Sequence, residues 1–146
     1  MIVSVSFSSN TGTHAATNKA VSSAVTVTND RYDFGEIDIF GGKVQTTYTL
    51  KNEGSEVVTV IDAQTSCMCT EGEIAGFTFG MHGSNVKNVE IQPGDEEEVT
   101  AIFDPLAHGP NGTGKITREL MLKTNSTESP VIRLMFTGEV IKTEAR

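Results

Sequence analysis

Hydrophobic and polar positions alternate along this chain in short runs whose period is two rather than 3.6. In Val44-Gln-Thr-Thr-Tyr-Thr-Leu50, the residues Val44, Thr46, Tyr48 and Leu50 fall on one face and Gln45, Thr47, Thr49 and Lys51 on the other. That is the alternation of a half-buried strand. Between Val57 and Ala63 both sets are apolar, Val57, Thr59 and Ile61 against Val58 and Val60, which predicts a strand central in its sheet. Further strand-like runs lie at Val25–Thr28, Tyr32–Ile37, Phe77–Phe79, Val89–Ile91, Glu98–Phe103 and Lys115–Thr124, and in the alternation of Ile132, Leu134 and Phe136 with Arg133, Met135 and Thr137. Turn signals separate them: Gly41-Gly42, Lys51-Asn-Glu-Gly54, Gly80-Met-His-Gly83, Pro93-Gly-Asp95 and Asn125–Ser129. All four prolines sit between runs, where a missing N–H removes no ladder bond. No helical period occurs. About seven to nine short strands spaced by turns predict an all-β fold, an antiparallel β-sandwich of immunoglobulin type.

The first residues follow a different logic. Val3, Val5 and Phe7 alternate with serines, and a segment rich in Ser, Thr, Asn and Ala follows from Ser9 to Ala24. This divides the chain into an N-terminal arm, residues 1–24 (a strand at 2–8 plus a linker), a sandwich over residues 25–142, and a tail, residues 143–146. An apolar-faced strand on a linker is suited to joining a sheet edge, either its own or that of a neighbouring copy. Sixteen linker residues reach up to ~50 Å when extended. Donation repeated head to tail generates a non-closing interface and hence a fibre, with Val3, Val5 and Phe7 as the donor side chains and other copies of the chain as partners.

Charge and composition narrow the function classes. Hydrophobic residues make up 37% and charged residues 21%, ordinary values for a globular β protein. The net charge of −8 lies wholly beyond residue 30, since Lys19 and Asp30 cancel within the first thirty. An acidic surface repels phosphate backbones and disfavours nucleic acid. No stretch approaches the ~20 apolar residues of a membrane span. The start, Met1-Ile-Val-Ser-Val-Ser-Phe7, lacks the basic and apolar blocks of a secretory signal, so no signal peptide is visible in this numbering.

Chemistry-bearing side chains are few. Cys67 and Cys69, two apart on an extended strand, would share a face with Cα atoms ~6.5–7 Å apart, the upper limit for a disulfide. A bulge would close that gap. Small thiols closing a strand end, paired or free, are the plain alternative. A soft-metal set is a third: Cys67, Cys69, the thioether of Met68 or Met81, and His82 suit Cu(I). Redox or nucleophilic use needs a base or cation beside a thiol, and none is near in sequence. His14, His82 and His108 show no metal-ligand spacing. Asp95 to Glu98 form an acidic run that lacks the alternation of a calcium loop and reads as a solvated strand entrance. Asn111-Gly-Thr113 and Asn125-Ser-Thr127 fit the glycosylation pattern, which matters only on an exported chain. No phosphate loop, nucleophile elbow or triad is present.

Four local motifs, Phe34-Gly-Glu-Ile37, Leu50-Lys-Asn-Glu-Gly54, Ser66-Cys-Met-Cys-Thr70, and Ile91-Gln-Pro-Gly-Asp95 followed by Phe103-Asp-Pro105, resemble in order and spacing a bacterial domain of unknown function related to the ASH, MSP and Hydin immunoglobulin-like domains. The resemblance covers roughly residues 25–141. It implies an immunoglobulin-like sandwich used for binding or scaffolding, without catalysis. Two departures stand out: Met68 replaces the usual Gly between the cysteines, and the segment from Thr70 to Pro93 is longer, as if a hairpin had been inserted.

The expected function is a non-catalytic structural subunit of an extracytoplasmic or cell-surface assembly, self-associating through the N-terminal strand. The alternative is a monomeric periplasmic partner-binding module, with Cu(I) at the Cys-Met-Cys motif.

Overall fold

In a computed structural model, residues 19–143 are described. The arm strand with Val3, Val5 and Phe7, His14, and residues 144–146 lie outside the described residues. Ten strands form in chain order: β1 (Val25–Thr28), β2 (Arg31–Asp38), β3 (Val44–Asn52), β4 (Val58–Thr65), β5 (Thr70–Ile74), β6 (Phe77–Phe79), β7 (Val89–Ile91), β8 (Glu96–Phe103), β9 (Gly114–Thr124) and β10 (Val131–Ile141). No helix occurs among the described residues, and none is long and apolar enough to cross a membrane. The strands build two five-stranded sheets, ordered β1-β3-β8-β5-β6 and β2-β10-β9-β4-β7. The fold is the all-β sandwich that the period-two pattern predicts.

Two turns of the chain set where the sites lie. β1 and β2 are consecutive yet belong to different sheets. The chain changes sheet at Asn29, whose φ of 55° is left-handed, a conformation Asn bears better than most side chains. β1 runs antiparallel to β3, and β2 runs parallel to β10, the one parallel pairing among the described strands. The other is the crossover Ser66–Cys69, which carries the chain from β4 in one sheet to β5 in the other.

β4 sits between β9 and β7, with Val58, Thr59 and Val60 all buried, as its two apolar faces predict. β5 is the element that propensity hides. Its sequence, Thr-Glu-Gly-Glu-Ile, is poor in β formers, but Thr70, Gly72 and Ile74 are buried and the two glutamates exposed. Gly72 is paired with Phe79 on β6, whose ring lies where a Cβ would project. The longer segment noted above is thus the β5–β6 hairpin and the loop after it, closed by Gly80 N–H donating to the Gly83 carbonyl at 2.8 Å.

The core is the alternate residues of both sheets. Leu50, Val60, Val99, Leu120, Leu122, Leu134 and Phe136 are fully buried, each worth about 1.5–3 kcal/mol on leaving water. Edge-to-face rings run inward from the surface: Tyr32 on Phe34 (5.0 Å), Phe34 on Phe136 (5.3 Å), and Phe136 on Phe103 of the opposite sheet (5.7 Å). Tyr48 spans the same gap, donating from its hydroxyl to the Met135 carbonyl at 2.8 Å. Burial pushes its phenol pKa well up, so it stays a donor.

Asn52 gives the Leu50–Gly54 motif its meaning. Fully buried at the end of β3, its Nδ2 donates to the carbonyls of Glu56 (2.7 Å) and Ile91 (2.8 Å). Its Oδ1 accepts from Gly54 N–H at 3.0 Å. One side chain therefore ties β3, the following turn and β7 of the other sheet. Gly54 lacks a Cβ because Ser23 lies where one would be.

Candidate functional site

Two places combine exposure with specific chemistry: the cysteine crossover and an open seam beside β1.

At the crossover, Thr65 is buried and its hydroxyl donates toward the carbonyls of Cys67 (3.0 Å) and Thr70 (2.9 Å). Thr70 N–H donates to the Cys67 carbonyl at 3.0 Å. These bonds fold the segment into a tight turn, and it is not the extended strand that the alternation suggests. The turn brings the Cα atoms of Cys67 and Cys69 to 5.1 Å, and the two are joined as a disulfide. No free cysteine is present.

Tertiary structure then supplies what sequence proximity does not. Arg118, on β9, points its Nε–H at Cys69 Sγ (3.0 Å) while its Nη1 donates to the Thr117 carbonyl (2.9 Å). Desolvation lowers the guanidinium pKa, but an Arg keeps its charge in a protein. His108, in the turn after β8, places Nε2 3.5 Å from Cys67 Sγ, and Cys69 N–H donates to Cys67 Sγ at 3.2 Å. Asp104 N–H donating to the Cys69 carbonyl (2.9 Å) fastens that turn to the cysteines. Cys69 is buried, Cys67 half-buried, and His108 exposed.

Among the described residues, Cys67, Cys69 and His108 are the His, Cys, Asp or Glu side chains whose ligand atoms converge, all within 4.8 Å of one another. His82 is not in this group. Met68, Met81 and His82 instead line an open depression with Thr70 and Thr78, and Met68 is 69% exposed. As a disulfide the sulfurs offer no thiolate to a metal; the same three donors become available to a soft cation only on reduction. Of the two glycosylation-pattern asparagines, Asn125 has its amide engaged at both ends, accepting from Thr59 N–H (2.8 Å) and donating to the Lys19 carbonyl (2.7 Å). Asn111 is exposed and accepts from Lys142 Nζ at 3.0 Å. Of the acidic run Asp95–Glu98, Asp95 precedes β8 and Glu96, Glu97 and Glu98 are its first three residues. Burial and the neighbouring Glu98 raise the pKa of Glu97.

The seam arises from the change of sheet at Asn29. β2 accompanies β10 only from Met135 onward, where Met135 N–H donates to the Asp30 carbonyl at 2.9 Å. Earlier in β10, from Val131 to Leu134, ladder pairing is to β9 alone. β1 likewise pairs only with β3. Between these two half-open edges lies a groove lined by Val25, Val27, Asp30, Ser129, Val131 and Arg133, with Val131 42% exposed.

The chain reaches this groove from the arm. Residues 19–24, part of the expected linker, are bonded to the sandwich: Val21 N–H donates to the Asn125 carbonyl (2.9 Å) and its carbonyl accepts from Thr127 N–H (2.7 Å). Ser22 N–H donates to Glu56 Oε1 (3.0 Å), and Ser23 is buried with its hydroxyl donating to the Glu56 carbonyl (2.8 Å).

Known structures resemble this sandwich. A protein of unknown function from Porphyromonas gingivalis W83 superposes with a TM-score of 0.65 at 17% identity, covering 82% of this chain and 48% of its own. The chain thus spans about half the length of that protein. The ASH/PapD-like domain 7 of human CEP192 gives 0.51 at 17% identity, covering 99% and 100%. The Escherichia coli chaperone DraB gives 0.50 at 7%, covering 88% and 59%. At these identities the likeness is one of fold. No curated protein matches the sequence. The family described as "Protein of unknown function (DUF1573)" matches residues 25–140, and the chain belongs to that family.

Proposed function

We propose that this chain is a non-catalytic immunoglobulin-like module of an extracytoplasmic assembly, and that it self-associates by receiving a neighbour's N-terminal strand in the seam between β1 and β10. The observation that carries this reading is the seam itself. β1 and the first four residues of β10, Val131–Leu134, each lack a ladder partner on one side and flank apolar Val25, Val27 and Val131, with Val25 N–H already held by Ser129 Oγ at 3.0 Å. An added strand would pair the remaining outward backbone groups of these edges and cover those side chains. Val3, Val5 and Phe7 provide an apolar face of matching character.

The donor in this reading is a neighbouring copy, which gives the head-to-tail, non-closing contact of a fibre. With residues 19–24 bonded to the body, ten residues, Ser9–Asn18, separate them from the 2–8 segment, a length that spans at most about 35 Å. Lys19, the first described residue, accepts from Asn125 in the turn that precedes the groove-lining residues Glu128–Arg133. The disulfide supports an oxidising compartment, where such bonds form and persist.

Val131→Asp tests the reading. The side chain is exposed enough to tolerate the change, while a carboxylate in the groove opposes an apolar strand. Size-exclusion chromatography should show the variant falling to monomer at concentrations where the parent chain associates. Unchanged association would place the contact elsewhere.

A further inference from the structure

We infer that the Cys67–Cys69 disulfide is redox-active and exchanges with external thiols, entering at Cys67 and leaving at Cys69. This goes beyond the binding role proposed above and does not depend on it. Two features of the site assign the direction, and a third favours reduction. Cys67 is the half-exposed sulfur and Cys69 the buried one, so an incoming thiolate meets Cys67 first. The leaving sulfur is the better prepared: Arg118 Nε–H already donates to Cys69 Sγ at 3.0 Å, from a side chain that carries a permanent positive charge. The attacked sulfur accepts from the Cys69 N–H at 3.2 Å, and His108 Nε2 lies 3.5 Å away, a donor when that nitrogen carries the proton. Donors aimed at both sulfurs strengthen as negative charge develops on them, and therefore favour the dithiol over the disulfide.

The exchange balances in two steps. A thiolate of a small thiol or a protein dithiol attacks Cys67 Sγ, the S–S bond breaks, and its electron pair leaves on Cys69 Sγ against Arg118. The product is a mixed disulfide at Cys67. A second thiolate attacks the external sulfur of that bond, and Cys67 Sγ departs with the pair beside His108. The protein gains two electrons and two protons, while the two thiols become one disulfide. One bond is exchanged per chain, stoichiometrically. A purely structural bridge needs no such arrangement of donors around its sulfurs.

The test uses the full chain and glutathione, read by thiol alkylation and mass spectrometry under native conditions. Millimolar reduced glutathione should open the disulfide without unfolding the protein. Arg118→Gln should slow the opening about tenfold, the worth of one charge-assisted hydrogen bond, and Arg118→Lys should restore much of the rate. With oxidised glutathione, Cys69→Ser should form a mixed disulfide at Cys67 at least about tenfold faster than Cys67→Ser forms one at Cys69. These single-cysteine variants are near-isosteric and report independently of the Arg118 pair. A disulfide that opens only in denaturant, equal trapping at both cysteines, or an Arg118→Gln rate equal to wild type would each overturn the assignment.

Discussion

Replacing Asn52 probes the account of the fold at its most connected polar side chain. Asn52→Ala deletes three hydrogen bonds, to the carbonyls of Glu56 and Ile91 and from Gly54 N–H. At about 1 kcal/mol net each, with a partner left unpaired in the interior, the loss is about 3–4 kcal/mol. That is a large share of the 5–15 kcal/mol typical of a domain. With an m-value of about 1.5 kcal/mol/M for a chain of this size, the urea midpoint should fall by about 2 M. The chain has no Trp, so far-UV circular dichroism is the natural probe. Asn52→Asp sharpens the test. Its first oxygen can still accept from Gly54, but the second would face two carbonyl oxygens with nothing to donate. At neutral pH it should therefore be less stable than Asn52→Ala. The introduced carboxyl would have a raised folded-state pKa, so its penalty is present above the ordinary Asp range and relieved as pH falls through that raised value. A midpoint shift below about 0.5 M for Asn52→Ala, or Asn52→Asp the more stable at neutral pH, would refute the bridging role.

Two further outcomes follow from local geometry. Gly72→Ala places a methyl against the buried Phe79 ring, and overpacking of this kind costs about 1–3 kcal/mol; calorimetry should show Tm lower by about 5–10 °C, and an unchanged Tm would mean the β5–β6 pairing is loose. The Glu56 carboxylate is held below the usual range first by the Ser22 N–H, then by the Ser22 hydroxyl. Its depressed folded pKa contributes stability that is present above the unfolded value and lost as pH falls through the folded one. The Ser22 amide resonance should accordingly titrate with a midpoint below the ordinary Glu value of about 4.3, whereas a midpoint at or above it would contradict the strap geometry.

How much of this was legible in the sequence depends on the range of the interactions. The alternation in Val44–Leu50 and in Ile132–Phe136 is local, and it gave the strands and the buried faces directly. β5 escaped because its strand character comes from pairing with β8 and from the Phe79 ring over Gly72, not from its own residues. The cysteine turn escaped because Thr65 organises it through side-chain hydrogen bonds that no period reports. His108 and Arg118 stand 41 and 49 positions from their cysteines. Only the order of strands across two sheets brings them together, and strand order cannot be read from spacing. The seam is of the same kind: it depends on where β2 begins to follow β10, a consequence of the sheet change at Asn29.

In the proposed self-association the N-terminal strand joins the seam of a neighbouring copy. Its most direct test compares the whole chain with one lacking residues 1–18, which leaves the bonded segment 19–24 and the sandwich intact, by size-exclusion chromatography and negative-stain microscopy at matched concentration. The whole chain should form polymers or oligomers and the shortened one monomers. The same size for both would contradict it.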